Sequence, residues 1–163
     1  MPQTLEIYDV IIIGAGAAGL MCAIEAGKSG KKVLVLDRAK NAGKKILVSG
    51  GGKCNFTNLN ISPKNYISQK PDFCRQALEV FRSEDVLKLL DSYGVEYSEK
   101  KQGQMFCKGG SEEILSILAK ERKKSRAKII LGCNITEISK NDFFEIETSI
   151  GKFLSRVLVI ATG

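Results

Sequence analysis

The sequence predicts an α/β fold built on a doubly wound, mostly parallel sheet, and three observations carry that expectation. Residues 10–13, Val-Ile-Ile-Ile, form an unbroken β-branched run, the pattern of a strand buried on both faces. Gly14, Gly16 and Gly19 follow at once in G-x-G-x-x-G spacing and open a helix-like stretch from Ala17 to about Lys28. A second apolar run, residues 33–36, ends in Asp37, 18 residues after Gly19.

Together these features describe a β-α-β unit that binds a dinucleotide. Gly14 makes the tight turn out of the strand. Gly16, without a Cβ, lets a pyrophosphate approach the backbone, and Gly19 lets the helix pack closely on the strand. The helix N-terminus, from Ala17 and Ala18 onward, offers free N–H groups and a partial positive charge to phosphates. Asp37 stands where a carboxylate accepts hydrogen bonds from ribose hydroxyls, and its charge argues against a 2′-phosphate there.

Composition narrows the class. With 44% hydrophobic and 26% charged residues, the 163-residue chain reads as a globular domain with a real core. No apolar run approaches the length of a membrane span, so no membrane partner is expected. The opening Met-Pro-Gln-Thr-Leu-Glu has no basic region leading into a long apolar one, so no secretory signal is expected. Five cysteines, none in C-x-x-C spacing, then point to a reducing cytoplasm rather than a disulfide framework. Histidine is absent, which removes the commonest metal ligand and general base. Zinc-hydrolase and Ser-His-Asp chemistry are therefore excluded, and no metal site is expected. The net charge of +7 sits in short clusters: Lys31-Lys32, Lys44-Lys45, Lys100-Lys101 and Arg122-Lys123-Lys124. No aromatic residues interleave with them, so they read as solvated surface and a nucleic-acid partner is not expected.

The elements follow in order. Residues 8–13, 17–29 and 33–37 are the opening strand, helix and parallel strand, with Gly27 and Gly30 ending the helix. Residues 38–60 break the pattern. Gly50, Gly51 and Gly52 are flanked by Ser49, Lys53, Cys54 and Asn55. The triple glycine reads as backbone pressed against a flat or phosphorylated ligand rather than as a linker. A P-loop fails because Leu47 and Cys54 occupy positions that need Gly and Ser/Thr. Helices are expected over 72–81 and 83–93, the first burying Phe73, Ala77, Leu78 and Phe81, the second N-capped by Ser83 and stopped by Gly94. Residues 95–98 and 104–107 read as an antiparallel pair around Lys101-Gln102-Gly103. Ser111 caps a helix to about Arg126, with Ile114, Leu115, Ile117 and Leu118 buried. Strands follow at 128–131, 134–139, 144–148 and 153–160, the last with a fully apolar run at 157–160 that belongs in the parallel sheet. A parallel sheet, an antiparallel β-meander, a return strand and a mainly helical insertion (38–127) between strands two and three suit an FAD-type Rossmann domain better than a simple NAD dehydrogenase.

The combination resembles the YhiN-type bacterial flavoproteins, also called aminoacetone-oxidase-like or bile-acid-reductase-like NAD(P)/FAD-dependent oxidoreductases. It is carried by Ile-Ile-Ile-Gly-Ala-Gly-Ala-Ala-Gly-Leu, Val-Leu-Asp-Arg, Lys-Lys-Ile-Leu-Val-Ser-Gly-Gly-Gly-Lys-Cys-Asn-Phe-Thr-Asn and Leu-Val-Ile-Ala-Thr-Gly. The Ser-Gly-Gly-Gly-Lys-Cys-Asn block is the specific part, although Lys53 and Lys44 stand where arginine is usual. The resemblance implies bound FAD. Gly14, Gly16, Ala17, Ala18 and Gly19 would hold its pyrophosphate and Asp37 its adenosine ribose, with Arg38 a further cofactor-binding residue. Lys45, Ser49, Gly50, Gly51, Gly52 and Asn55 would lie along its ribityl and isoalloxazine side. The Ile135 backbone would meet the adenine, and Ala161, Thr162 and Gly163 would close over the cofactor. Family members are longer, so residues 1–163 are expected to be one incomplete cofactor-binding domain without its substrate domain, self-associating through the surface so left.

The functional expectation is an FAD-dependent oxidoreductase working by hydride transfer through flavin N5. NAD(P)H is the transient reductant, since no second dinucleotide fingerprint is present. The small-molecule substrate is not specified by the residues, and Cys54 reads as structural rather than redox-active. Two other readings stay open: a cofactor-binding or RNA-associated module, marked by salt-sensitive RNA binding, and a fragment without activity of its own.

Overall fold

A computed structural model describes residues 6–163 of the chain. The expectation that residues 1–5 carry no secretory signal lies outside the described residues. The chain divides into two compact units, one formed by the residues up to Ile46 with Leu118–Gly163, the other by Leu47–Ile117.

The first unit is a six-stranded sheet in the order β6-β2-β1-β9-β8-β7. Strands β1 (Ile7–Ile13), β2 (Val33–Asp37), β6 (Lys128–Leu131) and β9 (Gly151–Ile160) run parallel, with Ile12 opposite both Val35 and Val159. Strands β7 (Ile135–Lys140) and β8 (Phe144–Thr148) complete an antiparallel meander into β9. The mostly parallel Rossmann-type sheet with its meander is thus as expected. Alternation along β1 and β2 sends Ile12, Val33 and Val35 to one face, where they pack with Ala15 and Ala23 of the fingerprint and α1 (Ala17–Lys28). Ile11, Leu34 and Leu36 go to the other face and pack with Tyr8, Cys133 and Ile146. Each of the nine fully buried Ile, Leu and Val side chains, seven on the strands with Leu20 and Ile24 on α1, would contribute about 1.5–3 kcal/mol of apolar burial. The apolar run of β9 lies in the parallel sheet, yet Val157 and Ile160 remain 50% and 61% exposed.

The second unit is a three-stranded antiparallel sheet, β3 (Asn55–Asn58), β5 (Gln104–Cys107) and β4 (Tyr97–Glu99), in the order β3-β5-β4. The β4–β5 pair was expected, with Lys101-Gln102-Gly103 as its turn. Strand β3 was not: Asn-Phe-Thr-Asn lacks the apolar alternation that marks a strand, and pairing with β5 rather than propensity defines it. Short helix α2 (Lys44–Val48) also falls within the stretch that carried no regular pattern.

Helix α3 covers only Arg75–Val80, with no buried residue. Residues 70–75 instead make successive i→i+3 turns, Phe73 N to Lys70 O and Arg75 N to Asp72 O, after Pro71. The expected buried stripe is therefore corrected: Phe73 is 82% exposed and Phe81 42%. Helix α4 (Ser83–Asp91) is N-capped by Arg82, not Ser83. The Asp85 carboxylate accepts from Arg82 N at 3.0 Å, while Ser83 Oγ donates to Asn58 O at 2.7 Å and ties α4 to β3. A serine committed to a tertiary partner cannot cap its own helix. Helix α5 (Ser111–Lys124) buries Ile114, Ile117 and Leu118 as expected, whereas Leu115 is only half-buried.

Tyr8 closes the N-terminal edge of the parallel strands. Its hydroxyl donates to Glu6 Oε2 at 2.7 Å, and the Lys32 and Lys128 ammonium groups lie 5.3 and 5.9 Å from its ring centre. Burial and the Glu6 carboxylate push the phenol up to about 12. The folded state therefore holds the Tyr8 proton more tightly than the unfolded chain does. This contribution to stability is complete below pH 10 and is lost as pH rises toward 12. Ultraviolet titration should resolve one of the four tyrosines with a midpoint near 12, and Tyr8→Phe should remove both that transition and the matching alkaline loss of stability.

Candidate cofactor site

In the first unit the glycine fingerprint sits at the C-terminal end of β1. Gly14 has φ +112°, a conformation that disfavours any side chain. A Cβ there would also overlap the Ala161 carbonyl, so the missing side chain lets the end of β9 lie against the end of β1. Backbone bonds fasten the junction: Gly14 N donates to Leu36 O at 2.8 Å and Ala161 N to Ile13 O at 2.7 Å. Gly14 was expected to make a turn, and it also holds three strand ends together. A Cβ on Gly19 would strike the Gly14 carbonyl and meet Ile12 Cγ2 at 3.4 Å, the close helix-on-strand packing that was expected.

Gly16 differs from both. A Cβ there would have no atom within 4 Å. Gly16 is the N-cap of α1, with no side-chain cap and no acid in the first turn. Leu20 N is the first to bond back, to Gly16 O at 2.9 Å. The N–H groups of Ala17, Ala18 and Gly19 therefore precede the intrahelical ladder, beside open space and the positive end of the helix dipole. Nothing packs where a pyrophosphate would come in, and the donors suit an anion.

Asp37 ends β2 beside this loop. Its Oδ2 accepts from Ala15 N at 2.6 Å and its Oδ1 from Ala39 N at 2.7 Å. The carboxylate is thus held against the fingerprint with lone pairs left over for further donors. Ala15 was not singled out in the sequence, yet its N–H holds Asp37 and its carbonyl accepts from Gly43 N at 2.8 Å. The turn after β6 is tied to the same loop: Cys133 N donates to Asp37 O and Gly132 N to Ala39 O, both at 2.9 Å, two residues before β7 opens at Ile135. Arg38 is exposed, and a Cβ on Gly163 would come within 3.0 Å of the Lys45 ammonium.

In the second unit Ser49–Gly52 form a 3₁₀ turn in which Gly50, Gly51 and Gly52 have φ of 58°, 67° and 85°. Three successive left-handed residues demand glycine on conformational grounds alone. The turn is closed by Cys54 N donating to Ser49 O at 3.1 Å. Gly50 also packs against the Phe106 ring, whereas Gly51 and Gly52 face open space. Asn55 is exposed at the start of β3. Cys54 is buried with φ 47°, and burial pushes its thiol up despite an opposing hydrogen bond from Ser49. The buried thiol lacks the thiolate character that redox chemistry at neutral pH requires.

The cradle at Gly16, the α1 donors and the anchored Asp37 fit a dinucleotide. With the sheet order and the meander they define an FAD-type Rossmann domain. Residues 8–163 match the family described as the HI0933-like protein Rossmann domain, and the chain belongs to that family. The resemblance read from the glycine fingerprint and the Ser-Gly-Gly-Gly-Lys-Cys-Asn block is borne out. A ribosomal RNA dihydrouridine synthase of Escherichia coli is 41% identical over 98% of this chain and 40% of its own length. Its namesake from Haemophilus influenzae is 43% identical over 97% and 41%. A 3-dehydro-bile acid delta(4,6)-reductase of Clostridium scindens is 29% identical over 93% and 38%. The chain thus spans about 40% of the length of these relatives. Among solved structures, a 3-ketosteroid-delta4-(5alpha)-dehydrogenase from Rhodococcus jostii shares the fold, with a TM-score of 0.69 at 18% identity over 100% of this chain and 47% of its own. Among the described residues no helix is long and apolar enough to cross a membrane.

Gly14→Ala and Gly19→Ala should each destabilise the fold by about 1–3 kcal/mol, the usual cost of forcing extra atoms into filled space. Urea denaturation of the two variants against the parent chain measures this directly.

Proposed function

We propose that this chain binds FAD. The observation that supports it most is the open cradle at Gly16, bordered by the α1 donors and by a carboxylate anchored on Ala15. In this reading the N–H groups of Ala17, Ala18 and Gly19 bind the pyrophosphate, and Gly14 holds the loop in shape. Asp37 accepts from the adenosine ribose, the Ile135 backbone meets the adenine, and Arg38 and Lys45 supply positive charge. Ala161, Thr162 and Gly163 present backbone to the cofactor. Ser49, Gly50, Gly51, Gly52 and Asn55 serve its flavin side. Bound FAD supplies hydride transfer through its N5, and NAD(P)H is the reductant.

The reaction we assign to the protein is reduction of an activated carbon–carbon double bond. A dihydrouridine is a uridine reduced across its C5–C6 double bond, and a delta(4,6)-reductase likewise adds hydrogen to a conjugated alkene. A uridine in RNA is the favoured substrate, because the two relatives of that name reach 41% and 43% identity, against 29% for the bile acid enzyme. A nucleic-acid partner, not expected from composition, is therefore part of the proposal, and the cytoplasm is where it would be met.

An absorbance spectrum of the purified chain, then chromatography of any released chromophore, tests the cofactor. Flavin bands, release of FAD and bleaching by NAD(P)H are expected. A colourless chain that gains no flavin on titration overturns the assignment. Gly16→Ala separates cofactor from fold: stability should change by less than about 1 kcal/mol, since the added methyl meets nothing. FAD affinity should fall at least about tenfold, or about 1.4 kcal/mol.

A further inference from the structure

A second ligand surface lies at the other end of α1. At about 1.5 Å per residue, this 12-residue helix puts its C-terminus roughly 18 Å from the glycine cradle. There the C-terminal ends of α1 and α5 come together. A Cβ on Gly27 would overlap the Ser125 carbonyl, so the two chain segments are in backbone contact. Beside that contact is a cleft of about 530 Å³, lined by Lys28, Lys31, Lys124 and Arg126 and by a single acid, Glu121. Glu121 is 7% exposed and is neutralised from two sides, by Lys124 at 2.9 Å and Lys28 at 3.5 Å.

Complementing the helix dipole accounts for the basic residues of the last turns, Lys28 on α1 and Arg122, Lys123 and Lys124 on α5. It does not account for Lys31 or Arg126, which lie beyond the helix ends. Both are exposed, and among the described residues neither has a side-chain partner. Exposed Lys123 has none either. Arg126 further occupies a left-handed position, φ 61°, where a helix end ordinarily takes glycine. A bulky cation is thus kept where it costs the fold stability.

We infer that this cleft and the adjoining end of α5 dock the phosphate backbone of an RNA, through Lys31 and Arg126 in the cleft lining and Lys123 beside it in the last turn of α5, with Lys28 and Lys124 screening the buried carboxylate. Charge complementarity selects the occupant: cations spread over two helix ends match a polyanion better than one small anion. The inference rests on the RNA-substrate reading above and assigns the recognition of backbone, not of base, to this edge of the sheet.

Fluorescence anisotropy of the 163-residue chain with a labelled RNA hairpin, across a salt series, tests it. The variants are Lys31→Gln, Lys123→Gln and Arg126→Gly, singly and together, with Lys64→Gln as an exposed control. Each of the three should lower the salt slope by about one, and the control should leave it unchanged. Arg126→Gly should also raise the melting temperature while weakening RNA binding, which a purely structural arginine would not do. Absence of RNA binding at low salt overturns the inference, as does a wild-type salt slope in the triple variant. In the second case the RNA-substrate reading survives, since RNA is bound elsewhere. The flavin spectrum, recorded on the same samples, reports on the cofactor assignment independently.

Discussion

Everything in the first unit depends on three backbone segments meeting at Gly14. The end of β1, the end of β2 and the exit of β9 converge there, joined by bonds from Gly14 N to Leu36 O and from Ala161 N to Ile13 O. A side chain at this point would separate β9 from β1, the longest parallel pairing of the sheet, with registers from Ile7–Leu154 to Ile13–Ile160. Gly19, also without a Cβ, clears the Gly14 carbonyl and so sets how α1 lies on the strands. One hydrogen atom in place of a methyl group thereby fixes the position of the helix N-terminus, and the helix N-terminus fixes where an anion can be held.

Two of the fingerprint glycines are thus structural, and the third is kept open. Gly14 and Gly19 fill their space completely, whereas Gly16 borders nothing. Packing explains the first two without any ligand. It offers no reason for the third, which is why Gly16 carries the cofactor argument. Asp37 extends the same logic: both its oxygens are tied to backbone N–H groups, so its position is fixed and little side-chain freedom is left to the carboxylate.

The molecule separates its charges along α1. The N-terminal end offers donors and no acid. The C-terminal end gathers cations around one neutralised carboxylate. Lysines that look scattered in the sequence, at 28, 31 and 124, come together only because Gly27 permits α1 to touch the turn after α5. Composition reported the net positive charge of the chain but not its concentration at one cleft.

The sheet core and the fingerprint were legible because both rest on local patterns. Buried β-branched runs, glycine spacing and an acid at a fixed distance are set by backbone sterics and strand alternation, which operate over a few residues. The second unit was less legible for the opposite reason. Strand β3 exists through its pairing with β5, Ser83 gave up its capping role for Asn58 O, and the apolar residues around α3 stayed exposed because none of the described residues covers them. The roles of Ala15 and of the turn at Gly132–Cys133 were invisible because each is a backbone bond to a residue far away in sequence. The sequence by itself determined the parallel sheet, the dinucleotide fingerprint and the flavoprotein family. The tertiary structure alone decided which glycines are filled and which is open, how Asp37 is anchored, and where the positive charge gathers, because long-range backbone contacts leave no periodic trace in the chain.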